Sequence, residues 1–203
     1  QVSCSSLMYN QIFTLILFAI VTAFTPGPNN ISAAYSGFNF GFKKTIPLML
    51  GVIFGWTTLL VSMELGLIII FQKINYLQTI IKILGSLFLI YLAYKIAYSN
   101  IKKNNPLKKP IRFLDMFMFQ FINPKSVVVS MTVVSTFIDA QNNYVRDFIV
   151  VTTIGFFVAV FSISSWCLLG KYLRKFVTSD RFIKNFNYTM SFLLIVCVIL
   201  FYV

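Results

Sequence analysis

The chain has no histidine, and among its 203 residues it has only five acidic side chains and three cysteines. Without imidazole there is no His general base, no triad that depends on one, and no His metal ligand. Five scattered carboxylates also supply two-metal chemistry poorly. Cys4, Cys167 and Cys197 form no CxxC pair. Two of them lie in apolar runs, so they read as small core residues rather than as a disulfide framework or a zinc site. Charge itself is scarce, at 11% of residues where soluble chains carry about 25%. What fills the chain instead is apolar, 58% hydrophobic and 17% aromatic. These proportions exclude an ordinary soluble domain. They point to an integral membrane protein that is not an enzyme and needs no cofactor or metal.

Six apolar segments stand out, at approximately Leu7–Thr25, Ile46–Phe71, Leu77–Tyr98, Phe113–Ile138, Phe148–Gly170 and Phe186–Val203. Each is close to or above the roughly 20 residues that cross about 30 Å of hydrocarbon. In lipid such segments must be helices, because an open strand leaves its backbone unsatisfied. The expected fold is therefore an all-α membrane protein of six transmembrane helices, a single domain over residues 1–203. The first segment lacks a basic leader, and Thr25-Pro26-Gly27-Pro28 follows it instead of a small-residue cleavage site, so it does not read as a cleaved signal peptide. The chain opens on Gln1, and Met8 is a candidate start.

The net charge of +12 would suggest nucleic acid in a soluble chain. Here the basic residues sit in the joints between apolar runs, where they set topology and meet anionic lipid, so no nucleic-acid partner is expected. Joint one carries Lys43 and Lys44. Joint three carries Lys102, Lys103, Lys108, Lys109 and Arg112, and joint five Lys171, Arg174, Lys175, Arg181 and Lys184. Against these twelve, joints two and four offer two, Lys73 and Arg146. The alternation puts joints one, three and five in the cytoplasm and both termini outside. Lys82 and Lys95, near the ends of the third segment, read as interfacial anchors.

Two helix-breaking motifs carry the functional expectation. Pro26-Gly27-Pro28-Asn29-Asn30 closes the first segment; its prolines remove backbone donors and clash a turn earlier, and Gly27 permits unusual φ. Freed carbonyls, a new helix N-terminus and the amides of Asn29 and Asn30 could together hold a zwitterion or cation. A plain turn with Asn29 or Asn30 as helix cap is the competing reading. Asn123-Pro124-Lys125 lies inside the fourth segment, where a Lys normally faces the bundle, and its ammonium suits a substrate carboxylate. The alternative starts that span near Phe121, with Asn123 capping it, Pro124 at its first position and Lys125 snorkelling to phosphates. The Thr25 and Asn123 motifs lie 98 residues apart, close to half the chain. Three spans per half would make two inverted repeats, 8–98 and 113–203, with broken helices at Pro26–Pro28 and Pro124 that face each other mid-membrane.

The second segment carries Gly51, Gly55, Thr58, Ser62 and Gly66 on one face, suited to close helix packing. Glu64 points to the opposite side and is the one acidic residue well inside a span, which makes it the candidate for ion coupling. Pairing with a neighbouring Lys, or reach to the outer interface, is the competing reading.

These residues together resemble the LysE/RhtB family of amino-acid exporters. Phe24-Thr25-Pro26-Gly27-Pro28-Asn29-Asn30 is similar to the family signature. In the same order as in the family follow Gly37-x3-Gly41-Phe42-Lys43-Lys44, Gly51-x3-Gly55, Lys82-x2-Gly85-x5-Tyr91-Leu92-x2-Lys95, Phe121-Ile122-Asn123-Pro124-Lys125 and Phe137-Ile138-Asp139. The resemblance covers almost the whole chain from about Met8. It implies a multi-pass inner-membrane exporter of amino acids or related small zwitterions, driven by a proton or other ion gradient. The absence of a GxxxxGK[ST] loop agrees with an ATP-independent mechanism. Matched residue by residue, it places Pro26, Gly27, Pro28 and Asn29 at one break and Asn123, Pro124 and Lys125 at the other. Where many members have an acidic residue after Gly51-x3-Gly55, this chain has Trp56. A non-transporting membrane scaffold or partner subunit is the alternative function, and homo-oligomerisation is left open.

Overall fold

The structure, a computed structural model, describes residues 4–98, 110–139, 141, 143–176 and 179–202. Among these residues every regular element is helical. In order they are α1 (Cys4–Phe24), α2 (Pro28–Ser62), a π-helical turn (Met63–Leu67), α3 (Ile68–Lys73), α4 (Asn75–Ala97), α5 (Phe113–Ile122), α6 (Pro124–Phe137), α7 (Tyr144–Lys175) and α8 (Asp180–Leu200). Four stretches are long and apolar enough to cross a membrane: Pro28–Lys73, Tyr76–Ala97, Tyr144–Lys175 and Asp180–Leu200. The pair α5 and α6, bent by 61° at Asn123, makes a fifth, and α1 adds the apolar helix Gln11–Phe24. Large apolar side chains such as Phe13, Leu87, Phe161 and Phe192 stand on the outer surface. Soluble monomers rarely expose such contiguous apolar area, whereas hydrocarbon tails solvate it. The protein is an all-α, multi-pass membrane protein.

The stretch from Pro28 to Lys73 is two arms and not one rod. Gly41 sits at φ 76, ψ 171, in the left-handed half of the map, where a side chain is strained. Ser36 and Thr45 hydroxyls lie 2.9 Å apart across it. Nine residues along a straight helix would separate them by about 13.5 Å, so the chain folds back at Gly41. Counted this way there are six helical units. Two are broken: α1 with the first arm of α2, and α5 with α6.

This corrects the expected course of the chain after the first segment. Residues 29–45 read as part of a joint, yet Asn30 through Phe38 are continuously buried. The reason is their composition. Ile31-Ser32-Ala33-Ala34-Tyr35-Ser36-Gly37 lacks the long apolar run of a lipid-facing helix because this arm faces protein on all sides. A Cβ on Gly37 would collide with the Cys167 carbonyl, and one on Gly170 with the Ala34 carbonyl. Backbone against backbone, α2 and α7 pack as closely as small residues allow.

The two most extensive further contacts are α2 with α5 and α4 with α8. Gly51 and Gly55 press against the carbonyls of Phe113 and Phe117 on α5. The small-residue face predicted for this segment ends there. Thr58 and Ser62 turn outward and return their hydroxyls to the carbonyls of Phe54 and Thr58. Of the basic joint before α5, Lys102, Lys103, Lys108 and Lys109 fall outside the described residues. Two buried apolar clusters hold the bundle together. One is centred on Leu48, Leu89, Phe119 and Leu194, the other on Leu60, Met63, Val127 and Val151.

Candidate functional site

Between these clusters lies a cavity of about 90 Å³. Its wall takes Val52 and Ile163 from the first cluster, and Val133 with Trp56 and Val129 from the second. Its polar part is made by the two helix breaks. Gly27, Pro28, Asn29 and Asn30 come from one, and Asn123, Lys125 and Ser126 from the other.

Each break is built from local sequence. At the first, α1 ends at Phe24 and α2 begins at Pro28, with Gly27 as an extended N-cap whose lack of a side chain leaves the helix start uncapped. The first amides of a helix have no intrahelical acceptor, and its N-terminus favours an anion. Neither Asn29 nor Asn30 caps this helix. Asn30 instead turns back and donates from Nδ2 to the carbonyls of Ala23 (2.7 Å) and Thr25 (3.0 Å), which the break has freed. Ser162 on α7 donates to the same Ala23 carbonyl at 2.7 Å. Asn29 reaches across to α5. Its Nδ2 donates to Gln120 Oε1 at 2.9 Å, and Gln120 Nε2 donates back to Asn29 Oδ1 at 3.0 Å.

At the second break Asn123 is the N-cap of α6, accepting from the Lys125 amide at 3.2 Å, with Pro124 at the first helical position. That much matches the capping alternative. The rest does not, since α5 runs from Phe113 to Ile122 ahead of the break and the span does not begin near Phe121. Nor does Lys125 run out along the surface. Its ammonium turns to the end of α1, donating to the Thr25 carbonyl at 3.1 Å and the Thr25 hydroxyl at 3.0 Å. A Cβ built on Gly27 would stand 3.0 Å from Lys125 Nζ, so the cation lies over the uncapped start of α2.

Of the expected site residues, the structure therefore brings together Gly27, Pro28, Asn29, Asn30, Asn123 and Lys125. Pro26 is exposed, and Pro124 is buried beside Gly85; neither lines the cavity, and both act on it by ending helices. Glu64 stands apart from the cavity, in the π-helical turn that Gly66 (φ 115) permits. It is buried, and its Oε2 accepts from the Thr152 hydroxyl at 2.8 Å, while its backbone carbonyl accepts from the Tyr144 hydroxyl at 2.9 Å. Its Oε1 has no partner. Among the described residues no lysine pairs with Glu64; α7 covers the side chain, with Thr152 at its carboxylate and Tyr144, the first residue of that helix, at its carbonyl.

Three residues of the site were not anticipated from the sequence: Ser162 and Gly155 on the cavity wall, and Gln120 behind it. Gln120 is fully buried and ties the two breaks together: besides Asn29 it accepts from the Ser126 hydroxyl at 2.9 Å and donates to the Met116 carbonyl at 2.9 Å. Its signal was present, a lone amide in the apolar run of α5. Ser162 and Gly155 gave no signal, because their roles depend on where α7 passes.

Paired broken helices beside a largely apolar cavity with a small polar part, in an all-α multi-pass bundle, are the arrangement of a membrane translocator. The chain matches the family described as LysE type translocator over residues 20–203, and it belongs to that family. It is 28% identical to the cysteine/O-acetylserine efflux protein of Escherichia coli O139:H28 over 185 residues, 90% of this chain and 92% of that one. To the protein of the same name from Shigella flexneri serotype 5b it is 27% identical, over the same shares. No solved structure matches the chain. Family and relatives together make it a transporter in amino-acid efflux and not an enzyme.

Proposed function

We propose that this protein is a secondary exporter that moves a small amino acid or a closely related zwitterion out across the cytoplasmic membrane, driven by an ion gradient. The observation that carries the reading is Lys125, held against Thr25 over the uncapped start of α2 on the cavity wall. A substrate carboxylate takes the place of the Thr25 oxygens around that ammonium and accepts from the free amides of α2. The substrate ammonium finds neutral acceptors in the oxygens of Thr22, Asn29 and Ser126. At about 10–15 Å³ per water-sized group, the cavity has room for roughly six to nine such groups. Serine or cysteine, with about seven non-hydrogen atoms, falls in that range, and cysteine is one of the two substrates in the relatives' names.

Alternating access follows from two inverted halves, 8–98 and 113–203, meeting at the site. In support, elements equivalent under the 98-residue offset pack on each other: α4 on α8, and α2 on α7. The coupling group is Glu64. Its unpartnered oxygen is free to take a proton, and α7 links it to the cavity through Thr152, then Gly155 about one turn on and Ser162 about two turns beyond that. The test is uptake of labelled serine into inverted vesicles. Accumulation that appears with an imposed proton gradient and collapses with a protonophore is expected. Equal serine content in vesicles with and without the protein overturns the proposal.

A further inference from the structure

Apart from Lys125 the cavity wall bears no charge, and a single contact fixes part of its apolar shape. Trp56 on α2 and Gly155 on α7 both line the cavity. A Cβ placed on Gly155 would stand 2.9 Å from both Cη2 and Cζ3 of the Trp56 indole, and 3.3 Å from Leu60 Cδ2. The six-membered ring thus occupies the notch that glycine leaves in α7. Leu60, fully buried, flanks that notch on one side, and the cavity that Trp56 lines lies on another. The remaining apolar side chains of the wall are aliphatic, among them Val52, Val129, Val133, Val158 and Ile163, and none carries a ring as large as the indole.

We infer that Trp56, seated in the Gly155 notch, is the specificity-determining element that limits this transporter to amino acids with short, uncharged side chains. The inference rests on the reading that the cavity is the substrate site. Two physical consequences give the class. The indole caps the room beyond a substrate Cβ, so branched and aromatic side chains meet the ring. No carboxylate faces the cavity from any lining residue, and Lys125 is already there, so a lysine or arginine substrate would bring a second cation with nothing to neutralise it. One extra methylene against a fixed apolar wall is worth about 10–200-fold in discrimination, which is the scale of selectivity one indole supplies.

The experiment uses the full-length protein in proteoliposomes and compares efflux of labelled serine, leucine and lysine. Wild-type protein is expected to move serine at least tenfold faster than leucine, and lysine not at all. Trp56→Ala should raise leucine efflux so that the serine-to-leucine ratio falls by tenfold or more, with lysine still excluded. Gly155→Ala should act in the opposite sense, slowing serine severalfold by driving the ring inward. The double variant Trp56→Phe with Gly155→Ala should recover serine efflux, because the smaller ring gives back the space that the methyl takes. That mutual rescue is not expected if either residue is merely structural, and protein amounts in the liposomes report any folding loss. An unchanged serine-to-leucine ratio in Trp56→Ala, or no rescue in the double variant, overturns the inference while leaving the transport reading intact. A wild-type protein that moves none of the three overturns the transport reading itself.

Discussion

The Lys125 ammonium donates to both oxygens of Thr25, at 3.1 Å and 3.0 Å, although a hundred residues separate the two along the chain. One contact thereby joins the helix break of the first half to that of the second. It also holds a cation at the C-terminal end of α1, where the helix dipole favours positive charge. A polar contact of this kind, open on one side and made to neutral oxygens, is one that a substrate carboxylate can compete for.

Lys125→Met is expected to abolish efflux while leaving the protein in the membrane, and Lys125→Arg to restore only part of it. Arginine keeps the charge but presents a wide planar fork that needs a different pocket. Efflux by the methionine variant at the wild-type rate would show that Lys125 does not hold substrate.

Gln120→Leu removes three side-chain contacts in one substitution. The Asn29 amide and the Ser126 hydroxyl lose their partner in a buried setting, and each unsatisfied group costs about 1–3 kcal/mol. A lower melting temperature in detergent is expected, together with a raised KM, since Asn29 is no longer aimed. A variant with unchanged thermal stability would mean that water or a neighbouring group replaces Gln120.

Gly170→Ala should be among the most damaging single changes outside the cavity. Its Cβ would overlap the Ala34 carbonyl, a backbone atom that cannot swing aside. Overpacking typically costs about 1–3 kcal/mol, and a backbone collision stands at the upper end of that range. The measurement is membrane abundance relative to the wild-type protein, and an unchanged abundance would show that α2 and α7 can move apart to admit the methyl.

Glu64→Gln keeps a side-chain oxygen for the Thr152 hydroxyl but cannot exchange a proton. The expected result is loss of gradient-driven serine accumulation with serine–serine counterflow retained. If accumulation persists in full, coupling resides elsewhere.

The Lys/Arg distribution predicts that Gln141→Cys is labelled by an impermeant maleimide added outside intact cells. By the same argument Lys184→Cys is labelled only after permeabilisation. The reverse pattern would invert the topology.

How much could be known before folding is clear from particular elements. Apolar runs near Leu77–Tyr98 and Phe148–Gly170 show their helices directly, because a helix solvated by lipid must be apolar along its length. Proline pairs show where helices stop, because a proline lacks its N–H in any context. The sequence by itself thus determined the class of fold, the helix breaks at Pro28 and Pro124 though not the reversal at Gly41, and most of the polar groups beside those two breaks. It could not reveal the buried arm from Asn30 to Phe38, since a helix surrounded by protein carries small residues and leaves no apolar run. Nor could it reveal that Gln120 bridges the breaks, that Lys125 bends back to Thr25, or that Trp56 rests on Gly155. Those relations join residues scores of positions apart. Only the tertiary structure decided them, because each depends on the passage of one helix across another and not on local chain preference.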